Sequence, residues 1–259
     1  MFRQTVGRAL ARYLSQPGHA ASIGFPTDPH LLAAALRPAD VILVEGTSRV
    51  STAIKYLTQS TWSHAALYVG PIGSQTVEGE RCSVVEADMR DGVRAVPLSA
   101  FIGRHCRICR PASLTGSEIL AVCAYAVRRI GHCYDLKNIV DLARYLLPIP
   151  PVPSGWRRRM LALGSGDPTR AICSTLIAQA FDAVNYPILP IVEDAVLNDP
   201  DCEDCVRQIL HVRHHSLYAP RDFDVSPYFQ VVKPTLEAGF DHHRLLWAQR
   251  PAVAHSRSV

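Results

Sequence analysis

The chain has 259 residues, 48% of them hydrophobic and 19% charged, with a formal net charge of +4. That length can bury one substantial core, and the charge is too mild and too interleaved for a nucleic-acid binder. No apolar run reaches the roughly 18 residues of a spanning helix; the best, ILAVCAYAV, stops at Arg128 and Arg129.

The opening stretch MFRQTVGRALARYLSQPG is interrupted by Arg3, Arg8 and Arg12, which breaks the continuous apolar segment of a secretory signal. Val6, Leu10 and Leu14 recur at helical spacing, so an amphipathic helix ending near Pro17-Gly18 is expected. With no export signal read here, the eight cysteines are expected as reduced thiols in a cytoplasm.

Asp28 or Thr27 caps HLLAAAL, which ends at Pro38. ADVILVEG is then a β-branched run closed by Gly46, a buried strand. Ser48 to Tyr56 reads as a helix with Val50, Ile54 and Leu57 on one face, and STWSHAALYVG as a turn and a second strand. SVVEADMRDGVRAVPLSAF alternates as a hairpin turning at Asp91-Gly92. RHCRICRP is a short strand, and Gly116 to Arg129 a helix capped by Ser117, with Ile119, Val122, Cys123 and Val127 at helical spacing. YDLKNIVDLARYLLPIPPVPSGWRRRM combines an amphipathic helix, a proline-rich break and Trp156 before Arg157, Arg158 and Arg159; it reads as an insertion packed on the core. From Pro187 onward, proline-containing loops alternate with short apolar stretches such as YFQVVKP.

A reactive thiol needs a lowered pKa, which a helix N-terminus helps to supply. Cys173 has that setting: GSGDPTR cannot continue a helix, and Leu176, Ile177, Ala180, Phe181 and Val184 form the stripe of the one that follows. A thiolate also needs a histidine to carry its proton and a polar group to orient the imidazole. Of eleven histidines, His64 stands at the start of a strand, after the polar turn Ser60-Thr61-Trp62-Ser63, where a side chain can face a cleft.

DVILVEG, WSHAALYVG, VVEAD, YD and ICSTLIAQAF, in that order, resemble the circularly permuted branch of the NlpC-like, papain-fold cysteine hydrolases, the YiiX/YaeF/YebB-like group. In that branch the His-bearing strand precedes the Cys-bearing helix, as here. The resemblance runs from about Asp40 to Val184, and PRDFDVSPYFQVV is similar to the branch's closing segment. It implies an α+β, permuted papain-like fold: a small antiparallel sheet or half-barrel packed against helices, with an N-terminal helical extension. The organisation expected is an extension over 1–38, a hydrolase domain over 39–235 with an insertion at about 139–166, and a tail over 236–259. The resemblance carries the nucleophile to Cys173, the base to His64 and the orienting residue to Glu86, with Glu78 and Glu80 as neighbours that strand register alone does not separate. Tyr134 and Asp135 match the YD pair as secondary candidates, Tyr134 toward substrate or oxyanion and Asp135 there or as a helix cap.

The implied function is thiol-dependent hydrolysis of an amide through an acyl-enzyme, on a peptide or cell-wall-type peptide, with ester and thioester as alternatives and no cofactor. Two rivals remain open. One is a lipid-directed acyltransferase or phospholipase resembling the lecithin retinol acyltransferase group, with the insertion as a peripheral membrane contact. The other is a non-enzymatic papain-like binding module. A zinc site built from Cys106-x-x-Cys109 and Cys202-x-x-Cys205 is disfavoured because the first pair lies in a strand and the second is crowded by carboxylates. His214-His215 and His242-His243 are expected as solvated surface residues, since neighbours in a strand point to opposite faces.

Overall fold

The computed structural model describes Gln16 and residues 24–88, 91–132, 172–196 and 206–244. The expected N-terminal amphipathic helix, Tyr134, Asp135, the 139–166 insertion, Cys202 and Cys205 lie outside the described residues, as do positions 245–259.

The first element among the described residues is α1 (Pro29–Ala35), where the Asp28 side chain accepts from the backbone of His30 and Leu31 and so satisfies two open amides of the first turn. β1 (Val41–Val44) is buried at every position, as expected of a strand apolar on both faces. α2 (Arg49–Thr58) starts at a Ser48 cap; its buried positions are Ser51, Ala53 and Thr58 rather than the expected Val50, Ile54 and Leu57, which are only half-buried. Then come β2 (His64–Tyr68), β3 (Thr76–Val77), β4 (Glu80–Asp88), β5 (Gly92–Pro97) and β6 (Cys106–Pro111). α3 (Gly116–Arg128) is capped by Thr115, not Ser117, because Thr115 and Glu118 have the spacing of a reciprocal capping box.

α4 (Ile172–Asp182) carries Cys173 near its start. β7 (Ile191–Val196) and β8 (Val206–His211) form a separate two-stranded sheet. α5 (Pro220–Val225), β9 (Phe229–Val232) and α6 (Pro234–Glu237) follow.

Among the described residues the main sheet has seven strands, antiparallel at every pairing, in the order β3-β4-β2-β1-β6-β9 with β5 also paired to β4. It is open, so the architecture is α+β, and larger than the small sheet expected. Alternation divides it into two faces. Val41, Leu43, Ala65, Leu67, Val85 and Cys109 pack with α3 and α4, whereas Ile42, Val44, Ala66, Val84 and Ile108 pack with Leu32, Leu36 and Phe101. Cys106 and Cys109 fall on opposite sides of this divide, so the strand geometry keeps them from sharing an ion.

Between β4 and β5 the register pairs Asp88 with Gly92 and Glu86 with Arg94, so the loop is 89–91 and Gly92, at φ 72°, ends it. A two-residue turn at Asp91-Gly92 would instead pair 90 with 93, and hence Glu86 with Pro97. The left-handed backbone that glycine tolerates belongs after the loop here, as in three-residue hairpin connections.

Phe181 anchors α4. It is fully buried, with its ring edge-on to Phe229 at 5.2 Å and tilted against Tyr186 at 5.5 Å. Phe181→Ala is expected to destabilise the fold by about 3–5 kcal/mol through lost burial and an unfilled cavity. Urea denaturation of the two proteins measures it.

Candidate active site

His64 opens β2 because the turn before it is fastened from several sides. The Trp62 indole N–H donates to Asp224 Oδ2 at 3.0 Å, and Arg107 Nη1 donates to Asp224 Oδ1 at 2.7 Å. The Arg107 guanidinium also lies 4.9 Å from the Trp62 ring centre. Ser63 Oγ accepts the Gly46 amide at 2.9 Å, joining the turn to the end of β1. Glu45, next to Gly46, is a buried carboxylate that accepts from Lys55 Nζ at 3.3 Å and the Gly24 amide at 3.0 Å, and pairs with His105 Nδ1 at 3.1 Å.

β4 pairs Glu86 with Ala66, two positions along from His64, so strand parity puts the His64 and Glu86 side chains on the same face. Their contact is His64 Nε2 to Glu86 Oε2, at 2.8 Å. The other carboxylate oxygen, Oε1, accepts from Arg94 Nε at 2.9 Å and Nη2 at 2.8 Å. Arg94 reaches across the hairpin as the direct cross-strand partner of Glu86. Glu78 and Glu80 are exposed, and Glu80 Oε1 accepts the Ser99 amide instead. Among the described residues, the carboxylate that meets His64 is Glu86.

Cys173, buried in the first turn of α4, hydrogen-bonds the same imidazole. Burial alone would push its thiol up. Hydrogen bonding and charge from His64, then the Ala65 backbone amide and the Ser174 hydroxyl, outweigh burial and hold it below the ordinary thiol value. For His64, burial disfavours the imidazolium, but hydrogen bonds to Cys173 and Glu86 prevail and push its pKa up to about 10. Burial likewise opposes ionised Glu86, and His64 and Arg94 overcome it, bringing the carboxyl down to about 2. Three further buried thiols go the opposite way. Desolvation pushes Cys106 up to about 12 and raises Cys109 and Cys123.

Residues 35–145 match the family described as permuted papain-like amidase enzyme, YaeF/YiiX, C92 family. Over that segment, less than half of the chain, the sequence is similar to permuted papain-like amidases. The matched segment includes His64 and Glu86 and ends before Cys173. No curated protein matches the sequence. The chain is also similar to the solved structure of metalloprotein yiiX from Escherichia coli O157:H7, at TM-score 0.44 and 16% identity, over 76% of this chain and 96% of that one.

Of the candidate residues, the structure brings Cys173, His64 and Glu86 together, while Tyr134 and Asp135 fall outside the described positions. Arg94 was not among them. Its signal was the opposite-charge pair across the β4–β5 hairpin, readable only with the correct turn register. The expected strand geometry at His242-His243 is corrected. These residues form a short 3-10 turn with rings 3.8 Å apart, and with Asp241 their ligand atoms lie within 4.8 Å, all exposed. Among the described residues, no helix is long and apolar enough to cross a membrane.

At pH 7, limited iodoacetamide is expected to modify Cys173 ahead of Cys106, Cys109 and Cys123, and His64→Ala to remove that lead; peptide mass spectrometry reads the sites. The pH dependence of stability follows from the two partners. The raised pKa of His64 stabilises the fold fully below 6.5, and that contribution is lost as pH rises through about 10. The lowered pKa of Glu86 stabilises it above 4.5, and that contribution is lost as pH falls through about 2. Glu86→Gln should therefore lower Tm most near neutrality, with the deficit narrowing toward both limits in melts recorded across pH.

Proposed function

We propose that this chain is a cysteine hydrolase that cleaves amides through an acyl-enzyme, a thioester on Cys173. The observation that carries this reading is the placement of one imidazole, His64, between a buried thiol whose pKa is lowered and a buried carboxylate 2.8 Å from its far nitrogen. Nε2 is committed to Glu86, leaving Nδ1 as the ring nitrogen for the thiol. The resting pair is a thiolate beside an imidazolium. The thiolate attacks the carbonyl carbon, the C–N bond breaks, and the His64 proton goes to the departing amine. Water then gives a proton to His64 as its oxygen bonds to the acyl carbon; the carboxylic acid leaves and the thiolate–imidazolium pair is restored. Glu86 holds the ring in the required tautomer and stabilises its positive charge.

Peptide amides, including cell-wall-type peptides, are the first substrates to examine, with esters and thioesters as further acyl donors. The insertion that would carry the lipid-directed reading lies outside the described residues.

The test is a panel of peptide amides, esters and thioesters with product analysis by mass spectrometry. Cys173→Ala should abolish turnover, and His64→Ala should lower kcat by about a hundred- to ten-thousandfold, the usual range for general acid–base catalysis. In the wild type, amide turnover should fall as pH rises through about 10, where His64 loses the proton owed to the leaving amine. Full turnover by Cys173→Ala would overturn the proposal.

A further inference from the structure

The Glu86 carboxylate has two oxygens and two different partners. Oε2 meets His64 Nε2, and Oε1 takes both Nε and Nη2 of Arg94. Arg94 is itself fixed on the hairpin. Its Nη1 donates to Asp91 Oδ2 at 2.8 Å, and Nη2 lies 3.8 Å from Asp88 Oδ2. Glu86 is buried, whereas Arg94 has a side chain 42% exposed. The arginine thus reaches inward from the surface to the innermost carboxylate of the loop. A guanidinium can present two N–H groups to one oxygen in a fixed plane; an ammonium cannot.

We propose that Arg94 is a positioning residue for the reaction: by occupying Oε1 of Glu86 it dedicates Oε2 to His64 and so fixes the imidazole that faces Cys173. This inference rests on the thiol mechanism proposed above but is separable from it. Without Arg94, Oε1 would be a buried acceptor lacking its donors, a costly state that favours either rotation of the carboxylate or its protonation. A rotated carboxylate leaves the ring unheld, and a protonated one no longer stabilises the imidazolium. The charged groups that bear on Glu86 are His64 and Arg94; those on Arg94 are Glu86, Asp88 and Asp91; and Cys173 is the second partner of His64. Arg94 is one of the groups that lower the Glu86 pKa, so its removal must raise it.

The experiment compares wild type, Arg94→Met and Arg94→Lys by the pH dependence of iodoacetamide modification at Cys173 and by histidine 15N NMR of His64. Arg94→Met is expected to slow modification by about ten- to hundredfold, as loss of an orienting partner does, and to shift the acid limb of the profile to higher pH. Its His64 Nε2 signal should move toward that of an unbonded ring. Arg94→Lys should restore the acid limb, because the charge is kept, but not the full rate, because the fork is lost. A merely structural arginine would lower Tm without moving either the limb or the NMR signal. If Cys173 is labelled rapidly in wild type and Arg94→Met leaves the profile and the His64 signal unchanged, this inference fails and the thiol mechanism stands. If Cys173 is unreactive in wild type while Arg94→Met still moves the His64 signal, the mechanism fails and the positioning role survives.

Discussion

The antiparallel register of β2, β4 and β5 is the constraint on which the site depends. It sets Glu86 opposite Ala66 on one side and opposite Arg94 on the other, with His64 two positions from Ala66. Because side chains alternate along a strand, a slip of one residue in either pairing would turn Glu86 or its partner to the other face. The burial of Val84, Val85 and Ala87 makes such a slip costly, so the hydrophobic core and the geometry of the site are fixed by the same pairing.

Electrostatics then dictates how the charges are arranged. A buried carboxylate or thiolate is tolerated only when paired. Here the pairing forms a line of groups, each beside the next: the Cys173 thiol, the His64 imidazole, the Glu86 carboxylate and the Arg94 guanidinium. The line runs from the base of α4 to the half-exposed tip of a hairpin. Cys106, Cys109 and Cys123 show the contrast: burial is the largest influence on each and raises all three thiols. The lowered pKa of Cys173 therefore comes from its neighbours rather than from its depth.

Apolar packing fixes the inner side of the helix that bears Cys173. Leu176, Ile177, Ala180 and Phe181 are buried against the sheet, and that stripe fixes which way the first turn of α4 faces. On the opposite side of the site, Trp62, Asp224 and Arg107 tie the turn before His64 to α5 and β6. Two elements distant in sequence are thereby held together, which keeps the Cys173 thiol beside the His64 imidazole.

The sequence by itself determined the elements whose signals are local. Continuous apolar content marked β1, the 3.6-residue stripe marked α4, and the order of His64, Glu86 and Cys173 carried the family resemblance. The helix cap at Thr115 was legible too, in the Thr-x-x-Glu pattern, though Ser117 was the residue expected. What only the tertiary structure decided were the contacts between segments. Choosing Glu86 over Glu78 and Glu80 required the pairing of β4 with β2. Arg94 required the length of the β4–β5 loop, because a turn at Asp91-Gly92 puts Pro97 where Arg94 stands. The physical reason is that hydrophobic periodicity reports which face of an element is buried but not which residue of the neighbouring element lies across from it.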